Sequence, residues 1–176
     1  LYGYYVTLKQ NVDPDSGCME DTGNIDARTE GMSYGMMMTV QMDRKDLFDK
    51  LWCFSRRYMY QQSGKYRGYF AWSVGLDGKH NAEGPAPDGE EYFAMALLMA
   101  AARWGNGEGI YNYAREARDI LRHCVHQHEI VEGGLLHRAV LSGEHHIAGT
   151  FSKGDILAVL AHAALQTQNG GDAFLC

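Results

Sequence analysis

Several features that would announce a membrane, nucleic-acid or secreted protein are missing from this sequence. No apolar run is long enough to span a bilayer. The first residues, Leu1–Tyr5, have neither the basic segment nor the apolar core of a signal peptide. The net charge of −6 gives no general attraction to nucleic acid or to anionic membranes. We therefore expect no membrane partner and no nucleic-acid partner.

Cysteine is also scarce, with four residues in the chain. They are Cys18, Cys53, Cys124 and Cys176, and no two of them have CxxC spacing. A metal cluster and a disulfide framework are therefore not expected, and free thiols in a reducing compartment are the simpler interpretation. This interpretation predicts a cytoplasmic protein.

The histidines do not form a recognised metal-binding motif. His123, His126 and His128 lie close together, and the first two could share a helix face. A zinc site needs ligands that converge, and no HExxH pattern accompanies these residues. We interpret them as surface histidines and expect no metal site.

What the chain does contain is the composition of an ordinary folded domain. It has 176 residues, of which 45% are apolar and 22% are charged. That is enough for one domain with a real core. The acidic balance suits a neutral substrate such as a sugar, although net charge does not identify one.

Apolar periodicity predicts four helices separated by long loops. They cover Met32–Gln41, Lys45 to about Gln61 with Asp43 as the cap, Gly89–Arg103, and Ile110 to about His126. Residues 64–87 form a long connection, and strand signals are weak. The pattern therefore favours an all-α toroid or bundle. The methionine stripe Met36, Met37 and Met38, together with Met42, is predicted to fill the core.

Two carboxylates stand at predicted helix starts, Glu30 and Asp88. Cleavage of a glycosidic bond by the usual route needs two carboxyl groups on a rigid frame. A structural role is also open for each, and it is the commoner one for such positions. Asp88 with Glu91 resembles an acidic capping box, and Glu30 could favour the positive end of a helix dipole.

Four aromatic residues cluster in the long connection: Tyr66, Tyr69, Phe70 and Trp72. Their rings could stack on the apolar C–H faces of a sugar. They could equally plug the edge of the core, because large aromatics are usually buried in part. Residue type alone leaves both interpretations open.

Longer motifs decide between these alternatives. The segment Asp26–Met36 closely resembles the acid-bearing motif of family 8 glycoside hydrolases, and Ala86–Ala96 resembles the second signature of that family. The segments Gly68–Ser73 and Arg103–Ile110 resemble its branch of reducing-end xylose-releasing oligoxylanases. The resemblance runs from about residue 23 to about residue 128.

The resemblance implies an all-α fold, an (α/α)6 toroid present here as an incomplete half barrel. It implies an inverting hydrolysis of xylo-oligosaccharides that releases xylose from the reducing end. Glu30 matches the general acid, and Asp88 matches the carboxylate that holds and distorts the sugar. Trp72 matches a stacking aromatic, and Tyr34 and Arg28 are expected to line the cleft. No metal and no organic cofactor is implied.

The resemblance ends at about residue 128, so the chain is expected to be one partial domain followed by an unmatched tail, residues 129–176. A frameshift after about Val131 would produce such a tail. The aspartate that serves the family as base has no counterpart here, and Asp155 and Asp172 are poor candidates for it. The alternative function is therefore a catalytically inactive, truncated helical fragment that binds carbohydrate or is purely structural.

Overall fold

The computed structural model describes residues 6–10 and 13–126 of the chain. Strands β1 to β5 are Val6–Gln10, Gly17–Asp21, Asp26–Arg28, Ser73–Gly75 and His80–Ala82. Helices α1 to α4 are Thr29–Gln41, Lys45–Phe54, Pro87–Trp104 and Tyr113–His126. The predictions about residues 129–176, including Asp155 and Asp172, lie outside the described residues.

An antiparallel sheet of five strands, ordered β1-β2-β3-β4-β5, accompanies the helices. The chain leaves the sheet after β3, forms α1 and α2, and returns as β4, where Arg28 pairs with Ser73. The expectation of an all-α chain is therefore confirmed only in part, because the described residues are rich in helix but also contain a sheet. Strands β3, β4 and β5 have three residues each. Segments that short show no alternation in the sequence.

Helix α1 begins at Thr29, three residues before the predicted start, and ends at Gln41 as predicted. It buries Met32, Met36 and Val40, which recur every four residues on one face. Met36 fills the core as predicted. The same prediction is wrong for Met38 and Met42, which are 49% and 71% exposed, because they lie away from that face.

Asp43 ends α1 rather than capping α2. Its backbone has a φ of 58°, and its amide and that of Arg44 donate back to carbonyls of the last turn of α1. The Asp43 carboxylate accepts hydrogen bonds from Arg103 Nε at 2.9 Å and Trp104 Nε1 at 2.7 Å. The cap predicted for α2 is therefore wrong, and Asp43 instead joins the ends of α1 and α3. Helix α2 ends at Phe54, and a π-helical turn, Ser55–Met59, follows where one longer helix was predicted.

Helix α3 begins with Pro87 in its first turn, after an Ala86 cap that makes no side-chain hydrogen bond. The capping box considered for Asp88 and Glu91 is therefore not formed. Gly105, with a φ of 76°, ends the helix as predicted. The last predicted helix begins later than expected, at Tyr113, because a short 3-10 turn, Gly109–Tyr111, precedes it.

The core is centred on Trp52, which is fully buried. Its ring lies 6.0 Å from that of Phe70 and 5.9 Å from that of Phe93. Its indole N–H donates to the Ile110 carbonyl at 2.7 Å. Trp52 thus ties α2 to α3, to the turn before α4 and to the loop that leads into β4. Within the described part of the chain, no helix is long and apolar enough to cross a membrane.

Candidate active site

Glu30 and Asp88 are each the second residue of their helices, α1 and α3. The first turns of these helices touch where Gly89 meets Thr29. A Cβ atom added to Gly89 would lie 2.5 Å from the Thr29 Cβ, so only glycine permits this approach. The contact brings Asp88 close enough for its charge to act on Glu30.

The environment of Glu30 favours its protonated form. Partial burial raises the pKa of the carboxyl above its ordinary value of 4.5, and the negative charge of Asp88 raises it further. Three groups act in the opposite direction and lower the pKa of Glu30: its own backbone N–H, the Thr29 hydroxyl and the charge of Arg28. The Thr29 hydroxyl lies 3.3 Å from Glu30 Oε2. A carboxyl that keeps its proton to higher pH is suited to act as a general acid.

A pair of tyrosines lies one turn beyond the two carboxylates. Tyr34 follows Glu30 by four residues, and Tyr92 follows Asp88 by four residues. Their rings meet edge to face with centroids 5.2 Å apart. Burial, followed by the charges of Tyr92, Asp88 and Glu30, raises the pKa of Tyr34. The tyrosines and the carboxylates therefore share one site between α1 and α3.

Tyr92 was not identified as a site residue from the sequence. The sequence does contain a pattern that could have identified it. In both helices an acidic residue is followed four positions later by a tyrosine, and this spacing puts the two side chains on one helix face. Tyr34 remains 43% exposed, so the pair stays accessible to a ligand.

Trp72 is held beside this pair of helices by its backbone. Its amide donates to the Gly84 carbonyl at 3.1 Å, and its carbonyl accepts from the Thr29 amide at 3.1 Å. The ring is half-buried, whereas Tyr69 and Phe70 are 4% and 1% exposed. The aromatic cluster therefore divides, with Tyr69 and Phe70 in the core and Trp72 available to a ligand.

Arg28 links Trp72 to the sheet. Its guanidinium carbon lies 5.4 Å from the centre of the Trp72 ring. Its Nε donates to Asp26 Oδ1 at 3.1 Å and lies 3.5 Å from Asp21 Oδ2. The two aspartates are almost fully buried, and neither was identified from the sequence. Their pairing with Arg28 depends on strands that show no pattern of their own.

The structure thus brings all five predicted residues into one region, formed by the end of β3, the first two turns of α1, the first turn of α3 and the loop before β4. His123 lies elsewhere, packed against Gly68 and Tyr69. Among the residues that the structure describes, no group of three or more histidine, cysteine or acidic side chains is arranged to hold a metal ion.

The part of the chain that contains the candidate site matches a known protein family. The family model of glycosyl hydrolases family 8 matches residues 9–148. A reducing end xylose-releasing exo-oligoxylanase of Bifidobacterium adolescentis is 60% identical over 113 residues, which are 64% of this chain and 30% of that protein. The protein of the same name from Halalkalibacterium halodurans is 58% identical over 119 residues, 67% of this chain and 31% of that protein.

A solved structure gives the same result for the fold. It is that of a mutant exo-oligoxylanase from Paenibacillus barcinonensis complexed with an arabinofuranosyl-substituted xylotetraose. The TM-score is 0.66 at 54% sequence identity, over 68% of this chain and 32% of that chain. The chain therefore spans about a third of the length of the curated relatives it matches.

Proposed function

Because the chain belongs to family 8 of the glycosyl hydrolases, we propose that it carries the general-acid side of an inverting hydrolase. The proposed substrates are xylo-oligosaccharides, from which xylose is released at the reducing end. The observation that carries the proposal is that the surroundings of Glu30 raise the pKa of its carboxyl and so favour the protonated acid. Asp88 and the accessible ring of Trp72 lie in the same region. Identities of 58–60% to two exo-oligoxylanases support the substrate class.

Each residue has one task in the proposed reaction. Glu30 gives its proton to the oxygen of the glycosidic bond as the bond to the anomeric carbon breaks. Water adds to the opposite face of that carbon and loses its proton to a base. Asp88 holds the sugar at the bond to be cleaved, Trp72 stacks on a sugar face, and Tyr34 and Arg28 line the cleft. We assign no base among the described residues.

We also propose that the described helices and sheet are an N-terminal part of an (α/α)6 toroid. The likeness to a solved oligoxylanase supports this architecture. A cytoplasmic location remains a prediction, which rests on the small number and wide spacing of the cysteines in the sequence.

Xylotriose labelled at its reducing end tests the function. The protein is expected to release labelled xylose and unlabelled xylobiose. Glu30→Gln keeps the size of the side chain but has no proton to donate, so kcat/KM is expected to fall by about 10²- to 10⁴-fold. The matched control is Glu108→Gln, an exposed residue in the loop before α4, which is expected to leave kcat/KM unchanged.

Two results would contradict the proposal. One is label that appears in xylobiose, because cleavage would then come from the other end of the substrate. The other is binding of xylotriose without any release of xylose, which is the behaviour of an inactive carbohydrate-binding fragment.

A further inference from the structure

We infer that Asp26 is a positioning residue of the site: its carboxylate holds the Arg28 guanidinium against the Trp72 ring and thereby fixes the surface on which a sugar stacks. The inference rests on the proposed function, because it assigns Trp72 a sugar to contact. It adds a buried residue of the sheet that does not itself touch the substrate.

The Asp26 carboxylate is shared between two strands. Arg28 Nε donates to both of its oxygens, at 3.1 and 3.2 Å. The Ser73 hydroxyl, on β4, donates to Oδ2 at 2.6 Å, and Asn81 Nδ2 donates in turn to the Ser73 hydroxyl at 3.2 Å. Only 7% of the Asp26 side chain is exposed. A carboxylate bound on two sides and shielded from water fixes the direction of its arginine.

The guanidinium that Asp26 holds ends at Trp72. Arg28 and Ser73 are register partners across β3 and β4, and Trp72 immediately precedes Ser73. The Trp72 backbone is fixed at both its amide and its carbonyl. Rotation of the side chain is therefore the freedom that remains, and the Arg28 guanidinium, 5.4 Å from the ring centre, restricts it.

The turn before Asp26 is strained. Ile25 has a φ of 56°, which is unfavourable for a β-branched residue, and its side chain is 66% exposed. Its amide donates to the Asp21 carbonyl at 2.7 Å, and the Asp21 carboxylate accepts from Gly23 N and Asn24 Nδ2. Strain of this kind is commonest beside functional sites. Here it accompanies the placement of both aspartates against Arg28.

The first test is spectroscopic and needs no activity. Protein labelled with 5-fluorotryptophan gives one ¹⁹F signal for each of Trp52, Trp72 and Trp104, and Trp72→Phe assigns the relevant one. Asp26→Asn is expected to shift the Trp72 signal and to leave the Trp52 signal in place. Asp46→Asn is the matched control, because Asp46 also pairs with an arginine two residues away but is exposed on α2. It is expected to move no signal.

The second test is kinetic. Asp26→Asn is expected to raise KM for xylotriose about tenfold with a smaller change in kcat, since hydrogen bonds to charged groups have effects of that size. If Asp26 acts through Arg28, the double variant with Arg28→Gln is no worse than Arg28→Gln alone. Additive effects of the two substitutions, or an unmoved Trp72 signal, would overturn the inference.

The inference can still be tested if Asp26→Asn does not fold or if the wild-type protein is inactive. If Asp26→Asn does not fold, Ser73→Ala removes one hydrogen bond to the same carboxylate, and it is expected to shift the Trp72 signal less in the same direction. An unmoved signal there counts against the inference. If the wild-type protein releases no xylose, the proposed function fails, while the Trp72 signal still decides the role of Asp26.

Discussion

At the residue scale, the two carboxylates lie in the first turns of α1 and α3 without capping either helix. The caps of α1 and α3 are Arg28 and Ala86, and neither makes a side-chain cap hydrogen bond. Glu30 is partly buried near a second carboxylate, which destabilises its charged form. Burial beside a second carboxylate is how enzymes raise the pKa of a general acid, so this arrangement favours a chemical role.

The pKa of Glu30 makes a stability prediction that is independent of catalysis. Because the pKa is raised in the folded chain, the folded state binds the proton more tightly than the unfolded state. Stability is therefore lost as the pH rises from the ordinary value of 4.5 through the raised pKa. Glu30→Gln is expected to match the wild type in Tm at pH 4 and to exceed it at pH 7.

Thermal unfolding followed by circular dichroism at the two pH values checks this. Glu108→Gln, at an exposed position, is expected to change Tm equally at both. A gain for Glu30→Gln that is no larger at pH 7 than at pH 4 would show that the folded protein does not disfavour the Glu30 charge.

The same scale shows how far the sequence identifies the site. Motif resemblance led to Glu30, Asp88 and Trp72, which the structure brings together. It did not lead to Tyr92 or Asp26. Those two matter through contacts with residues on other elements, namely the ring of Tyr34 and the hydroxyl of Ser73. Contacts between distant parts of the chain have no local pattern in one sequence.

At the scale of elements, the helices were predicted, whereas the three-residue strands β3, β4 and β5 were not. Helices α1 and α3 have 13 and 18 residues, long enough for a repeating apolar face to be visible. The three-residue strands are defined by their partners, as in the pairing of Ala27 with Val74. Helix ends were predicted less accurately. Asp43 looks like a cap in the sequence but lies in the left-handed region and ends the preceding helix.

The contact between the starts of α1 and α3 gives the second prediction. In Gly89→Ala, the new methyl group would lie 2.5 Å from Thr29 Cβ and 3.0 Å from its carbonyl carbon. The two helices must separate, which costs about 1–3 kcal/mol of unfolding free energy. Separation also moves Asp88 away from Glu30, so kcat/KM for xylotriose is expected to fall as well.

Urea denaturation and the xylotriose assay measure the two effects. Gly84→Ala is the matched control, because a Cβ there would meet nothing within 4 Å, and both quantities are expected to stay unchanged. Alanine is the better helix former. A more stable Gly89→Ala protein would therefore show that the close approach of the two helices does not occur.

At the scale of the whole molecule, one core supports both the sheet and the helices, and the site lies at its edge. Trp52 is at the centre of this core, whereas Trp72 stands half-buried at the site. Nothing in the local sequence around Trp52 and Trp72 distinguishes the buried residue from the accessible one. Their different environments come from contacts between distant parts of the chain, such as those of the Trp52 ring with Phe70 and Phe93.

Because Trp52 is buried and Trp72 is accessible, the third prediction is that replacing Trp52 lowers stability and replacing Trp72 weakens substrate binding. Trp52→Phe leaves the Ile110 carbonyl without its 2.7 Å hydrogen bond and opens a small void. The unfolding free energy is expected to fall by about 1–3 kcal/mol, with KM for xylotriose little changed in the folded protein. Trp72→Phe shortens the stacking surface at a half-buried position, so KM is expected to rise while stability changes by less than about 1 kcal/mol.

Urea denaturation and initial rates with xylotriose, applied to both variants, give four values. The expected pattern is a loss of stability in one variant and a loss of substrate affinity in the other. If Trp72→Phe proves the more destabilising of the two, the loop before β4 belongs to the core and its aromatic residue serves the fold. If Trp52→Phe raises KM as much as Trp72→Phe, the site is coupled to the centre of the core, and its residues cannot be treated as a surface carried on an independent frame.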